Sequence, residues 1–331
     1  MEKTQDLSFI GKLKNYFNKN SSLVTLMIAT VVMVIVGWVT QEAFMTPGNW
    51  SSIMTALSAV GTMGAGLTVS MLLGGLDVSQ YSILAFAGML FGVMVSPKWW
   101  GLPFWVGCIG CLIVGLVGGL VNAFLVCKLR IIPVIATTAS QFIWRGFAYI
   151  LTNNTYISLI KVDPGITYLS SGKILGISVN FYIMLLAFVF VWFILKYSTF
   201  GRKVFAIGAN IRAAYLSGIK VNKVRTQAYL FGGVFAGIGA IMTCCLLSSS
   251  MPSTGAGLQM DVSAGVILGG LSIAGGKGDV IGTFFGLLFL QILANIFTLN
   301  NINSYWQMVC KGVVLVVAIW LDVLRGGRGY N

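Results

Sequence analysis

The sequence predicts an all-α polytopic membrane protein, with about ten transmembrane helices in two inverted five-helix halves and both termini cytoplasmic. Three observations lead there. Of 331 residues, 57% are hydrophobic and only 9% charged, against about 25% charged in a typical soluble domain. The apolar residues fall in long charge-free runs, not in the alternating segments of about ten residues that a membrane barrel requires. The Lys and Arg residues gather between runs on what alternates as one side. Lipid offers the backbone no hydrogen-bond partners, so continuous apolar runs of this length must be helices.

The runs lie near 22–41, 51–75, 78–96, 103–127, 131–151, 178–196, 226–247, 259–275, 280–299 and 305–323. Most can cross a core of about 30 Å at a rise of about 1.5 Å per residue. The eighth is short and Gly-rich, which suits a broken or partial span. Lys3, Lys12, Lys14 and Lys19 precede the first run and place the amino terminus inside. Ten crossings return the carboxyl end inside, where Arg325 and Arg328 agree. The turn holding Lys128 and Arg130 then falls inside, as does loop 197–225; loop 152–177 falls outside. Residues 1–21 form a cytoplasmic segment whose Phe9, Ile10, Leu13, Tyr16 and Phe17 have the spacing of an interfacial helix. A tail that only orients the first span fits equally. Residues 22–324 form one permeation domain and 325–331 a cytoplasmic tail. The net charge of +13 belongs to this topology and does not call for nucleic acid.

Glycines pair at four-residue spacing at Gly88/Gly92, Gly115/Gly119, Gly233/Gly237, Gly265/Gly269 and Gly282/Gly286. Small residues at this spacing let helix backbones approach closely. An internal echo joins "LDVSQYSIL" (76–84) to "MDVSAGVIL" (260–268). One copy precedes the third run and the other opens the eighth, so the second copy has inverted topology, a common transporter plan. Asp77 and Asp261 are read either as helix N-caps or as polar breaks along a pathway. Arg145 and Lys311 are charges within runs; snorkelling to the outer interface accounts for them, and lining a path is the alternative. Asp77, Ser79, Asn122, Arg145, Asp261, Ser263 and Asn295 are the candidate substrate-path residues.

Catalytic chemistry finds little support. The chain has no histidine, and its six cysteines fall in apolar runs or beside them, which suits packing better than metal binding. Gly172-Lys173 and Gly276-Lys277 lack the rest of a phosphate-binding GxxxxGK[ST] loop. The chain therefore carries no P-loop ATPase, no metal and no cofactor of its own.

Within loop 197–225, "FGRKVFAIGANIRAAYLSGIKVNKVR" (200–225) has six basic and no acidic residues around a small-residue centre. "NIRAAYLSG" reads as a short helix capped by Asn210 and stopped by Gly218. A stiff cytoplasmic helix of this kind suits docking into a groove of another protein; a loop made basic only for topology is the plain alternative.

Together with "GGLDVSQYSILAFAG" (74–88), "IIPVIATTASQFIWRGFAYIL" (131–151), "GLQMDVSAGVILGGLSIAGGKGDVIGTFFG" (257–286) and "NSYWQMVCKGVVLVVAIWLDVL" (303–324), the stretch 198–221 resembles the permease subunits of ribose/galactose-type ABC importers. The motifs occur in family order and cover nearly the whole chain. The resemblance implies a coupling helix that fits a cleft of an ATP-binding subunit, carried here by Gly201, Arg202, Ala206, Gly208, Asn210, Ala213, Ala214 and Gly218. It implies a second permease copy or paralogue, an ATP-binding subunit whose two nucleotide-binding domains are often fused and hold ATP and Mg, and a soluble sugar-binding protein outside. The expected function is the membrane subunit of an ATP-driven importer of a monosaccharide or related small polar solute, working by alternating access in a bacterial inner membrane. An ion-coupled secondary transporter using Asp77 or Asp261 is the alternative.

Overall fold

A computed structural model describes residues 21–326. The expected interfacial helix of 1–21 and most of the carboxyl tail lie outside the described residues. A helix stands in each of the ten runs: α1 (Ser21–Thr40), α2 (Pro47–Leu72), α3 (Gln80–Val95), α4 (Phe104–Ala123, extended by a π-helical turn over Phe124–Lys128), α5 (Pro133–Ile150), α7 (Val179–Tyr197), α10 (Val221–Leu247), α11 (Leu258–Leu268), α12 (Val280–Leu299) and α13 (Ser304–Gly326). Between them lie α6 (Pro164–Ser171) in the loop after α5, and α8 (Thr199–Ala209) and α9 (Ile211–Leu216) in the basic loop. Among the described residues, six helices are long and apolar enough to cross a membrane: α1, α2, α4 with its π turn, α7, α10 and α12. α3 and α11 are apolar but short, at 16 and 11 residues.

The helix ends follow local chemistry. Thr46 accepts a hydrogen bond from Asn49 N, and Pro47 opens α2 where a missing N–H costs nothing. α11 stops at Leu268, well short of the expected 275, because Gly270, Gly275, Gly276 and Gly278 all take positive φ. α10 starts five residues earlier than its apolar run and takes in Lys223 and Arg225. The basic loop holds two helices where one was expected. Ser198 caps α8 by accepting from Gly201 N (3.0 Å).

α2 and α10 pack against each other at the centre, α2 also on the short α11 and α10 on the short α3, and the pattern around them repeats. α3 packs on α4 and α5; α11 packs on α12 and α13. α2 packs on α12 as α10 packs on α4. α1 and α7 depart from this correspondence: α1 lies on α12, and α7 lies chiefly on α2.

The glycine pairs form two backbone-to-backbone seams. A Cβ on Gly115 would meet the carbonyl of Gly233, and one on Gly237 that of Cys111, so α4 and α10 touch directly. Gly265 and Gly269 of α11 meet Gly286 and Gly282 of α12 in the same way. Thr68 and Thr283 share a hydrogen bond of 2.9 Å between α2 and α12.

Two irregular segments run alongside helices. Ser250 lies against Gly92 near the end of α3, while Gly255 lies against Tyr81 near its start. Segment 250–255 therefore descends α3 by eleven residues, about 16 Å at helical rise. The β-bridge of Ile157 with Ser250 and Ser158 with Ser249 holds its upper end to the loop after α5. Segment 73–79 is a second interruption, between α2 and α3.

Candidate functional site

The first polar cluster forms in segment 73–79. Asp77 is buried, and its Oδ1 accepts from Ser79 N (3.0 Å) and Ser79 Oγ (2.7 Å). Asn122, fully buried on α4, donates Nδ2 to Ser79 Oγ (2.7 Å) and to Asp77 Oδ2 (3.5 Å). Thr137 of α5 holds the same segment from the other side: its Oγ1 donates to Leu76 O (3.3 Å) and accepts from Val78 N (3.4 Å). Asp77 thus braces the turn ahead of α3 without being the helix N-cap. The helix's own cap position is Ser79, whose side chain makes no capping bond. Thr137 carried no signal in the sequence, because a lone threonine on an apolar helix is unremarkable.

The second D-V-S copy behaves differently. Asp261 lies inside the first turn of α11 and caps nothing; the cap position is Gly257, with positive φ. Instead its carboxylate takes Lys311 Nζ of α13 at 2.6 Å, each side chain 27% exposed. Among the described residues this is the one ion pair. Arg145 is partnered as well: its Nη1 donates to the carbonyls of Pro252 (2.6 Å) and Thr254 (2.8 Å), and its Nη2 donates to Tyr81 O (3.5 Å). The guanidinium is spent on fixing segment 250–255 to the start of α3. Ser263 is buried and donates back to Gln259 O (2.8 Å).

Asn295 is distant from both clusters in its bonding. It exchanges two hydrogen bonds with Asn49, of 3.0 and 2.8 Å, and Gln41 donates to Asn300 nearby (3.1 Å). These amides fasten α12 to the start of α2. The structure thus joins Asp77, Ser79 and Asn122 in one cluster, sets Arg145, Asp261 and Lys311 around segment 250–255 and α11, and assigns Asn295 to a helix clasp.

In the basic loop, Asn210 Oδ1 accepts from Ala213 N (2.9 Å) and is the single residue between α8 and α9. Gly218 has positive φ and closes α9, with Gly218 N donating to Tyr215 O (3.0 Å). Gly201 is buried against the backbone of Leu195, Ala206 is half-buried, and Arg202 and Ala213 are exposed. Gly208 admits no Cβ, because Leu72 O and Gly276 N occupy that space. Ala214 was expected on an outward docking face; it is buried against the body of the chain instead. The outward residues of α9 are Ile211, Arg212, Ala213, Tyr215 and Leu216, the last two 71% and 77% exposed.

With this geometry in view, residues 49–319 match the family described as branched-chain amino acid transport system / permease component. The chain belongs to this family of permeases, among those of ribose/galactose-type ABC importers. The ribose import permease protein RbsC of Bacillus subtilis is 34% identical over 295 residues, covering 88% of this chain and 89% of that protein. Escherichia coli K12 RbsC is 33% identical over 303 residues, 89% of this chain and 92% of its own. The autoinducer 2 import system permease protein LsrC of Salmonella paratyphi B is 29% identical over 307 residues, 92% of this chain and 87% of its own. No solved structure matches. The permease is a multi-pass protein of the inner membrane and not an enzyme; ATP hydrolysis resides in a partner subunit.

Proposed function

We propose that this permease forms the translocation path of an ATP-driven importer for a monosaccharide or related small polar solute, and that it works by alternating access. The observation that carries the ATP-driven reading is α9. A six-residue helix, capped at both ends and joined to α8 by one residue, turns Ile211, Tyr215 and Leu216 away from the chain. Exposed aromatic and aliphatic groups on a short, stiff helix are anchors for a partner's groove. In this reading α9 docks into the ATP-binding subunit, which holds ATP and Mg. That subunit's two nucleotide-binding domains are fused or separate, and a soluble sugar-binding protein delivers solute on the opposite face.

The membrane arrangement that fits best is ten crossings with both termini cytoplasmic, in two inverted halves: α1–α5, and α7 with α10–α13. The repeated pattern of helix pairs supports it, as do interruptions at 73–79 and 248–257 in corresponding places. A second permease copy fits the exposure of the ion pair. A charged pair a quarter exposed among apolar helices is costly against lipid and belongs on a protein or aqueous face. Asp77, Ser79, Asn122, Arg145, Asp261 and Ser263 then act by shaping the interrupted helices beside the path, and Asn295 by clasping α12 to α2.

Uptake by proteoliposomes carrying the permease, ATP-binding subunit and binding protein tests the proposal. ATP inside the vesicle should drive uptake. Uptake driven by a proton or sodium gradient without the ATP-binding subunit would overturn it.

A further inference from the structure

We infer that the contact of Gly208 and Gly276 with Leu72 is the joint through which α9 moves both interrupted helices of its own chain. The inference rests on the proposed docking of α9. Gly276, unlike Gly208, lies outside the stretch that the sequence marks for coupling.

Three backbones meet at this point. Gly276 N donates to Leu72 O at 2.8 Å, satisfying a carbonyl at the open end of α2. A Cβ on Gly208 would meet Leu72 O and Gly276 N, and one on Gly276 would meet Gly208 C and Ala209 N. Beside them Gly275 abuts Gly74 N, and Gly74 abuts Ala274 O. Gly74, Gly275 and Gly276 all hold positive φ, where a side chain would add strain to the crowding.

Each backbone leads to a part that the mechanism uses. Gly208 is two residues from Asn210 and thus from α9. Leu72 ends α2 and opens the segment that carries Asp77. Gly276 belongs to loop 269–279, which α11 enters from the segment fixed by Arg145. Contacts between backbones transmit displacement with little loss, because no rotamer can absorb it. A push on α9 therefore reaches the break in the first half and the end of α11 in the second together.

The test uses the assembled importer in lipid nanodiscs, with the six native cysteines replaced and a bimane label on Leu76→Cys. Trapping with ATP, Mg and vanadate should shift the label's emission. Gly208→Ala should lose most of that shift, while nucleotide trapping stays intact. An unchanged shift in Gly208→Ala would overturn the inference. A second, unlabelled variant avoids crowding the joint. Ala209→Cys with Lys277→Cys should form a disulfide on oxidation and leave ATPase activity unchanged, because the joint moves as one body. No disulfide, or a disulfide that stops ATPase activity, would likewise overturn it. Leu216→Arg separates the two readings. If the ATP-binding subunit still binds that variant, the docking proposal fails. A shift lost in Gly208→Ala with trapping preserved speaks to the joint alone.

Discussion

Lys311 and Asp261 hold each other at 2.6 Å between α13 and α11, where these two helices pack together. Lys311→Met leaves a carboxylate without its cation, and Asp261→Asn leaves an ammonium without its anion. Each single variant should lose stability, by less than the roughly 3–5 kcal/mol of a fully buried broken pair because this one is partly exposed. The double variant should recover much of the loss. Thermal unfolding in detergent, read by gel filtration, gives all three; a double variant no better than the worse single would mean that the charges do not act as a pair.

Asn49 and Asn295 exchange two hydrogen bonds between α2 and α12. Asn295→Leu should cost about 0.6–1.7 kcal/mol, the range measured for such bonds between membrane helices. Chemical denaturation in mixed micelles would show it. Transport per folded molecule should remain near that of the parent, since the clasp lies apart from both polar clusters.

Leu216→Arg should release the ATP-binding subunit from detergent-solubilised complexes, as it places a charge on the outward face of α9. Lys220→Ala should change association little, because an exposed charge is solvated and screened. Ala214→Trp should also disturb α9, but from within: overpacking a buried position costs about 1–3 kcal/mol. Proteolysis near residue 214 should therefore rise in the isolated permease, before any partner is added.

Leu175, 93% exposed in the loop after α5, and exposed Lys277 should lie on opposite sides of the membrane. In a cysteine-free background, Leu175→Cys should react with an impermeant maleimide from outside, and Lys277→Cys only after the membrane is opened. Labelling of both from the same side would refute the inverted arrangement.

The all-α polytopic architecture was legible because apolar run length dominates the energetics of a chain in lipid, and a helix stands in each apolar run. The glycine seams were legible for a related reason: four-residue spacing puts small residues on one helix face. The sites were less so. Identical D-V-S triplets at 77 and 261 end in different roles, one bracing a turn and the other holding Lys311. What separates them is the neighbour in space, Asn122 for one and Lys311 for the other, and linear sequence does not pair those residues. Arg145 looked like a snorkelling charge because its partners are backbone carbonyls, which every residue has. The helix α8 hid behind its basic residues, although Ser198 is a fair capping signal. Ala214 was placed on the docking helix by the family resemblance, whereas a six-residue helix must still seat one face.

An eleven-residue α11 spans about 16 Å, roughly half of the hydrocarbon thickness. A segment that short cannot enter the bilayer as an independent unit when it leaves the ribosome. Its glycine face needs α12, which is synthesised later, and its ion pair needs α13, synthesised last. Insertion of this end of the chain should therefore be collective, with α11 entering together with α12 and α13. Truncation after residue 300 would accordingly cost the protein one more helix than it removes.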